Sequence, residues 1–358
     1  MTMNFMALGS ETAGQTDFRS SQFELHPEWQ TWVAECLVNH IDSAFVVQVL
    51  VQQGYSEPDV VAYLSEAASH PFILAGQRAG KQHKKLEWLL QIYQSTQSNS
   101  KFYNQIERRN TLTQDEFYEQ YYCVNRPVIL TGMMTDWAAL KHWTLPYFQT
   151  NFGHLKVEAQ RAIQQEENAP GEYPSHKTML LMSEFLEKLD DPRELLYLTA
   201  YNNVANRKLF EQLLPDIKQF PSLLNPDMTG EHVSFWFGPK GTLSRLHIDN
   251  ANGLLAQVKG RKRVKMFPSN CLPYMYHEKD FRSPVDINNV DTHHYPEFQH
   301  AHMLETILEP GEVLFNPIGW WHEVEALDTS ISISMTNFKA HNEYPTFSSI
   351  YPAFDAVE

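Results

Sequence analysis

Leu243-Ser244-Arg245-Leu246-His247-Ile248-Asp249 places a histidine and a carboxylate two residues apart between strand-like flanks. On a β-strand, positions i and i+2 point to the same face, so both side chains can reach one ion. A third donor waits downstream in Asn316-Pro317-Ile318-Gly319-Trp320-Trp321-His322. The pair alone specifies little. The chain holds 16 histidines and 43 acidic residues, and such spacings arise by chance.

Taken together, His247, Asp249 and His322 make the two-histidine, one-carboxylate triad of non-haem Fe(II) oxygenases, which leaves open metal positions for a cosubstrate and dioxygen. A lysine sharpens the case. In Arg261-Lys262-Arg263-Val264-Lys265-Met266-Phe267, strand alternation sets Arg261, Arg263 and Lys265 on one face. Lys262 shares the other face with Val264 and Met266. A lysine turned to a core is costly unless an anion accompanies it, and the far carboxylate of an iron-chelating 2-oxoglutarate is such an anion.

The rest of the chain supplies a scaffold for such a site. Its 358 residues suggest about two domains at roughly 150 residues each. With 42% hydrophobic and 20% charged residues, it can build a large core and is not a disordered chain. The net charge of −15 repels phosphate backbones, so nucleic acid is not expected as a partner. No apolar run approaches the roughly 18 residues of a membrane span. The start lacks a basic segment followed by an apolar one, since the apolar run at residues 5–8 is too short. Three widely spaced cysteines, Cys36, Cys123 and Cys271, fit a reducing compartment, and the cytoplasm is the expected location.

Residues 1–20 read as a flexible tail. Residues 21–100 read as a helical module. One helix starts at Pro27 with Trp29, Trp32, Val33, Cys36 and Leu37 on one face. A second follows Asp42 and stops at Gly54, and a third opens on Ser56-Glu57-Pro58-Asp59 with capping-box spacing. A fourth spans about residues 84–94, with Leu86, Leu89, Leu90 and Tyr93 as its stripe, and the linker at residues 95–100 follows. From residue 101 short β-rich runs take over, at 127–130, 195–198, 233–237, 254–258, 261–267, 312–316 and 330–335. A helix is expected at 179–189 and a polar acidic loop at 164–172. Short strands separated by turn residues predict a sandwich or barrel. Residues 346–358 read as a C-terminal tail.

Several motifs, in order, resemble the jumonji-C, or cupin-like, Fe(II)- and 2-oxoglutarate-dependent oxygenases. They are His247-Ile248-Asp249, Gln257-Val258-Lys259-Gly260-Arg261-Lys262-Arg263 and Gly319-Trp320-Trp321-His322, with Trp236-Phe237-Gly238-Pro239 and Pro127-Val128-Ile129-Leu130-Thr131-Gly132 upstream, the last followed by Asp136-Trp137. The pattern is most similar to the protein hydroxylase branch, which includes asparaginyl and arginyl hydroxylases, and covers roughly residues 101–340. The resemblance implies an α+β fold with a double-stranded β-helix (cupin/jelly-roll) core in residues 101–345, flanking helices and the small N-terminal helical module. It implies Fe(II), 2-oxoglutarate and O2 as cofactor, cosubstrate and oxidant, with His247, Asp249 and His322 as catalytic iron ligands. Lys262 matches the lysine that pairs with the distal carboxylate of 2-oxoglutarate. Ser244 and Tyr197 match hydroxyl residues that assist it. Thr336 is a further hydroxyl on a polar strand face able to line the site. One departure stands out: the family commonly carries Asn six residues after the first histidine, and here that position is Gly253, with Asn252 and Asn250 as nearby substitutes.

The expected activity is hydroxylation of a C–H bond of an amino-acid side chain in a peptide or protein. Alternatives are hydroxylation of a free amino acid or other small metabolite, and a non-catalytic cupin-like metal-binding module. Histone demethylation shares the chemistry, but no basic surface accompanies it. A homodimer is left open. Loops at residues 271–305 and 164–176 are expected to select the substrate. His293-His294 and His300-x-His302 read as surface or substrate-loop residues, Trp320 and Trp321 as packing beside the pocket, and Cys271 as inert.

Overall fold

The structure, a computed structural model, describes residues 23–161, 177–191, 195–218, 220, 222–225, 232–277 and 281–351. The tail at residues 1–20 and the loop at 164–176 lie outside them. Two compact units divide the chain, residues 1–96 and 97–358.

In the first unit, helices α1 (Pro27–Val38), α2 (Ser43–Gln52) and α3 (Glu57–Ala68) bury Val33, Cys36, Leu37, Val46, Leu50, Val60 and Leu64 in one cluster with Leu25. Asp42 caps α2 by accepting the Ala44 N–H at 3.0 Å. Gly54, at φ +95°, ends it in a left-handed turn. There Tyr55 N–H reaches the Leu50 carbonyl and Gly54 N–H the Val51 carbonyl. Ser56 makes no side-chain cap, contrary to its spacing; a reciprocal capping box forms instead at Thr113 and Glu116. Helix α4 (Pro71–Gln97) is far longer than expected and takes up part of the linker expected at 95–100. Its start is set by Pro71, which suits a first helical turn. Gly76 lies against Val38, where an added Cβ would sit 2.7 Å from Cγ2, so the glycine gives close helix contact. The stripe at Leu86, Leu89 and Tyr93 is exposed.

The second unit is built on three sheets. Strands β1 (Glu107–Arg109), β2 (Val128–Leu130), β3 (Lys156–Arg161), β4 (Lys177–Leu181), β5 (Leu196–Tyr197), β6 (Val233–Gly238), β7 (Leu243–His247), β8 (Gly253–Lys259), β9 (Lys262–Phe267), β10 (Leu304–Leu308), β11 (Val313–Asn316), β12 (Trp321–Ala326) and β13 (Ser330–Met335) follow in chain order. A six-stranded sheet has the order β1-β2-β11-β8-β13-β6, a four-stranded sheet β10-β9-β12-β7, and a small sheet β4-β3-β5. Val264, Met266, Leu304 and Leu308 of the four-stranded sheet pack with Ile129, Leu314 and Leu255 of the six-stranded one, so the two sheets face each other as a double-stranded β-helix.

The outer face of the six-stranded sheet carries Phe235, Phe237, Leu254, Ala256, Phe315, Ile331 and Ile333. Against it pack α5 (Gln114–Phe117) with its π-helical continuation, α6 (Ala139–His142), α7 (Leu145–Phe152), α8 (Met182–Glu187) and α9 (Arg207–Leu213). The fold is therefore α+β with a jelly-roll core and flanking helices.

Two further expectations change. Residues 179–181 are not helical: they belong to β4, which pairs with β3, and α8 begins only at Met182. The apolar run Met179-Leu180-Leu181 satisfies either period, and an open edge on β3 decides for the strand. The expected C-terminal tail opens with a short helix, α10 (Phe347–Ile350).

Candidate active site

Strand pairing brings the two histidines together. In the β7–β12 ladder, His247 and His322 are direct partners, and their rings lie 4.1 Å apart. A bulge follows, so that Ser244, three residues before His247, pairs with Val324, two residues after His322. Three residues on a regular strand would reverse the face; the bulge returns Ser244 to the wall that carries His247. Asp249 lies just beyond the strand, held in place by the bond from Ile248 N–H to the Phe281 carbonyl.

Both imidazoles have a fixed tautomer. His247 Nδ1 lies 2.7 Å from the Arg245 carbonyl and His322 Nδ1 3.0 Å from the Trp320 carbonyl. A carbonyl only accepts, so each Nδ1 carries the proton and each Nε2 presents a lone pair. Burial and then the neighbouring His322 push the His247 imidazole down to about 4, so it stays neutral and free to ligate. His247 Nε2 is 3.7 Å from Asp249 Oδ1, and His322 Nε2 is 3.6 Å from Asp249 Oδ2. These gaps are too long for hydrogen bonds. One ligand atom from each residue lies within 4.8 Å of the other two; one ion bonded to all three at roughly 2.1 Å needs donors about 3.0–3.4 Å apart, so the three side chains close on it. The donor chemistry and spacing thus fit an Fe(II) ion.

Lys262 lies on the same wall. Alternation along β9 buries Lys262, Val264 and Met266 and leaves Arg263 and Lys265 partly exposed. Arg263 bonds Glu325 at 2.7 Å, and Lys265 bonds Asn288. Lys262 is only 3% exposed, opposite Leu308 and Ala326, and no hydrogen bond or ion pair reaches it among the described residues. Burial alone lowers its pKa from 10.5 to about 7. In the β9–β12 register His322 pairs with Met266 and Ala326 with Lys262, four residues along, or about 13 Å. The lysine side chain and a chelating dicarboxylate together can span that separation. A buried cation awaiting an anion is what 2-oxoglutarate would meet.

Tyr197 is buried, and burial raises its hydroxyl pKa. Its ring needs Gly238, where an added Cβ would come within 2.6 Å of Cδ2. Thr336 N–H donates to the His232 carbonyl, and its hydroxyl lies 3.3 Å from His232 Nδ1. Asn252 is already committed. Its amide donates to Asn342 Oδ1 at 2.9 Å, and its oxygen accepts the Ile318 N–H at 2.9 Å. That cross-tie fixes the loop leading into Trp320, Trp321 and His322.

The other histidines divide. His302 stacks on Tyr103 at 3.7 Å, and His300 lies 3.8 Å from Glu297, so the two do not converge. His293 and His294 come close to Asp291, but all three are exposed, and Asp291 already accepts both backbone N–H groups. Trp321 is fully buried, and Trp320 donates to Asn125. Cys271 is buried and its thiol pKa is pushed up to about 11, which leaves it unreactive. The residue that the sequence did not single out is Asn316. It lies 3.1 Å from Asp249 Oδ2 through Nδ2, and the only signal was a polar residue at the end of an apolar strand.

A family model described as a cupin-like domain matches residues 114–344. The chain is 32% identical over 232 residues to lysine-specific demethylase 8 of Xenopus tropicalis, covering 62% of this chain and 50% of the relative. It is 30% identical over 242 residues to lysine-specific demethylase JMJ30 of Arabidopsis thaliana (64% and 54%). It is 27% identical over 249 residues to JmjC domain-containing protein D of Dictyostelium discoideum (61% and 53%). The chain therefore spans about half the length of these relatives. With the matched domain covering the β-helix, the triad and the buried lysine, the chain belongs to the jumonji-C, cupin-like family of Fe(II)- and 2-oxoglutarate-dependent oxygenases.

Proposed function

We propose that this protein hydroxylates a C–H bond of an amino-acid side chain in a peptide or protein, releasing succinate and CO2. The observation that carries this reading is the buried Lys262, without an ion-pair partner among the described residues, on the wall that also holds His247, Asp249 and His322. A metal-binding module without turnover has no use for that cation, which is costly to bury alone. When bound, Fe(II) and 2-oxoglutarate supply the activation of O2, coupled to oxidative decarboxylation of the cosubstrate, that inserts one oxygen atom into the C–H bond.

The chain's own residues do the rest. His247 and His322 offer Nε2 lone pairs in fixed tautomers, and Asp249 offers one carboxylate. These three would hold the ion and leave coordination positions for cosubstrate and oxidant. Lys262 orients the cosubstrate by its distal carboxylate, with the Tyr197 and Ser244 hydroxyls as further donors. The two-sheet core, with Trp320 in it, shields the pocket from water.

The relatives support a protein as substrate, and the net charge of −15 disfavours nucleic acid. No helix among the described residues is long and apolar enough to cross a membrane. The three cysteines are unpaired, as suits the cytoplasm. A second reading is removal of a methyl group from lysine, favoured by the names of two relatives. It uses the same C–H hydroxylation, on a methyl carbon that then leaves as formaldehyde.

The deciding experiment incubates the protein with cell extract, Fe(II), 2-oxoglutarate and air, then maps mass shifts. One added oxygen on peptides supports the proposal. Loss of methyl groups with formaldehyde favours the second reading. Oxygen added only to small metabolites overturns the protein-substrate assignment, and the absence of succinate formation overturns the oxygenase itself.

A further inference from the structure

We propose that Asn316 is a positioning residue of the metal centre, supplying from the neighbouring strand the carboxamide that is absent at Gly253. The inference rests on the metal site described above. In the β11–β8 ladder, Asn316 and Gly253 are direct partners on the last rung. A Cβ added at Gly253 would meet nothing within 4 Å, so this corner is open space beside the site. Asn316 reaches the metal ligands from across the sheet instead. The Nδ2 group donates to Asp249 Oδ2 at 3.1 Å and lies 3.5 Å from His322 Nε2. The opposite amide orientation would set a carbonyl against the carboxylate, so the donor side faces Asp249. With Oδ2 engaged, Oδ1 is the oxygen left to ligate, and the carboxylate is held in a one-oxygen binding mode.

Two further observations separate this from a structural asparagine. The other residues of β11, Val313, Leu314 and Phe315, are all buried and apolar, and a buried amide at the end of such a strand is costly without a role. The Asn316 Oδ1 atom is buried and has no hydrogen-bond partner, whereas nearly all buried polar atoms in native proteins are paired. A donor brought by a bound ion would satisfy it.

The test compares wild-type protein, Asn316→Leu and the double variant Asn316→Leu/Gly253→Asn. The probe is Mn(II) alone, with free Mn(II) read by electron paramagnetic resonance and folding read by thermal melting. Leucine suits the apolar surroundings, so Asn316→Leu is expected to melt at or above the wild-type temperature. Its Mn(II) affinity is expected to fall about 10- to 100-fold, the usual consequence of losing a group that orients a metal ligand. Gly253→Asn restores a carboxamide to the same corner and is expected to recover most of the loss.

If Asn316→Leu binds Mn(II) within about twofold of wild type, the positioning role is overturned. If affinity falls and the double variant does not recover it while melting normally, the cross-strand substitution is overturned. If the single variant does not fold, Asn316→Ala, which removes the carboxamide without adding bulk, replaces it with the same criteria. Failure of the wild-type protein to bind Mn(II) would instead refute the metal site itself.

Discussion

Lys262→Met should strengthen the ligand-free protein and weaken its hold on 2-oxoglutarate. The side chain is 3% exposed, and burial alone brings its pKa from 10.5 to about 7. The unfolded chain therefore binds more protons than the folded one between pH 7 and 10.5, and stability rises with pH across that window. Below pH 7 the lone ammonium costs the folded state up to about 5 kcal/mol, at ~1.4 kcal/mol per pH unit of displacement. Methionine keeps the length and removes the charge, so the variant's advantage in melting temperature should be greatest below pH 7 and vanish above about pH 10.

Ligand binding runs the other way. A carboxylate beside Lys262 restores the ammonium, so binding above pH 7 takes up close to one proton. Affinity for 2-oxoglutarate should be flat below pH 7 and fall about eightfold between pH 7.5 and 8.5, as a free-enzyme pKa near 7 requires. Anaerobic calorimetry on the Mn(II)-loaded protein, in two buffers of different ionisation enthalpy, reads both quantities. Lys262→Met should lose roughly 30-fold or more in affinity, the low end of about 2–5 kcal/mol for truncating a buried charge pair. An affinity independent of pH, with no proton uptake and an unchanged value in Lys262→Met, would refute the reasoning.

Other parts of the structure make their own predictions. Gly238→Ala drives a methyl group to 2.6 Å from the Tyr197 ring. It should cost about 1–3 kcal/mol by chemical denaturation and weaken 2-oxoglutarate binding more than Mn(II) binding; equal effects on both would dissociate Tyr197 from the cosubstrate. Leu50→Ala empties a fully buried site in the helical cluster and should destabilise that unit by about 2–5 kcal/mol. If the loss of helicity on heating coincides with wild type, the cluster is not what holds the module.

Much of the site was legible because strand chemistry is local. The short spacing of His247 and Asp249 brought them to one site even though Asp249 lies just beyond β7, and alternation along residues 261–267 separated Lys262 from Arg263 and Lys265. What stayed hidden depends on pairing between strands. The bulge that returns Ser244 to the wall of His247 exists only in the β7–β12 register. Asn316 has no helical or strand signature of its own, and its relation to Gly253 arises from the β11–β8 rung. Strand β4 was read as helix because its apolar run fits both periods until β3 lies alongside. Helix α4 begins at Pro71, ahead of the apolar stripe at 86–93, and its Gly76 lies against Val38, a contact that only the packed helices reveal.

The central claim is that His247, Asp249 and His322 hold an Fe(II) ion to which 2-oxoglutarate binds in reach of Lys262. Anaerobic addition of Fe(II) and 2-oxoglutarate tests it directly by visible absorption. The account predicts a weak metal-to-ligand charge-transfer band that saturates at one equivalent of each and is absent in His247→Ala. No band in the folded wild-type protein, or an undiminished band in His247→Ala, would contradict it.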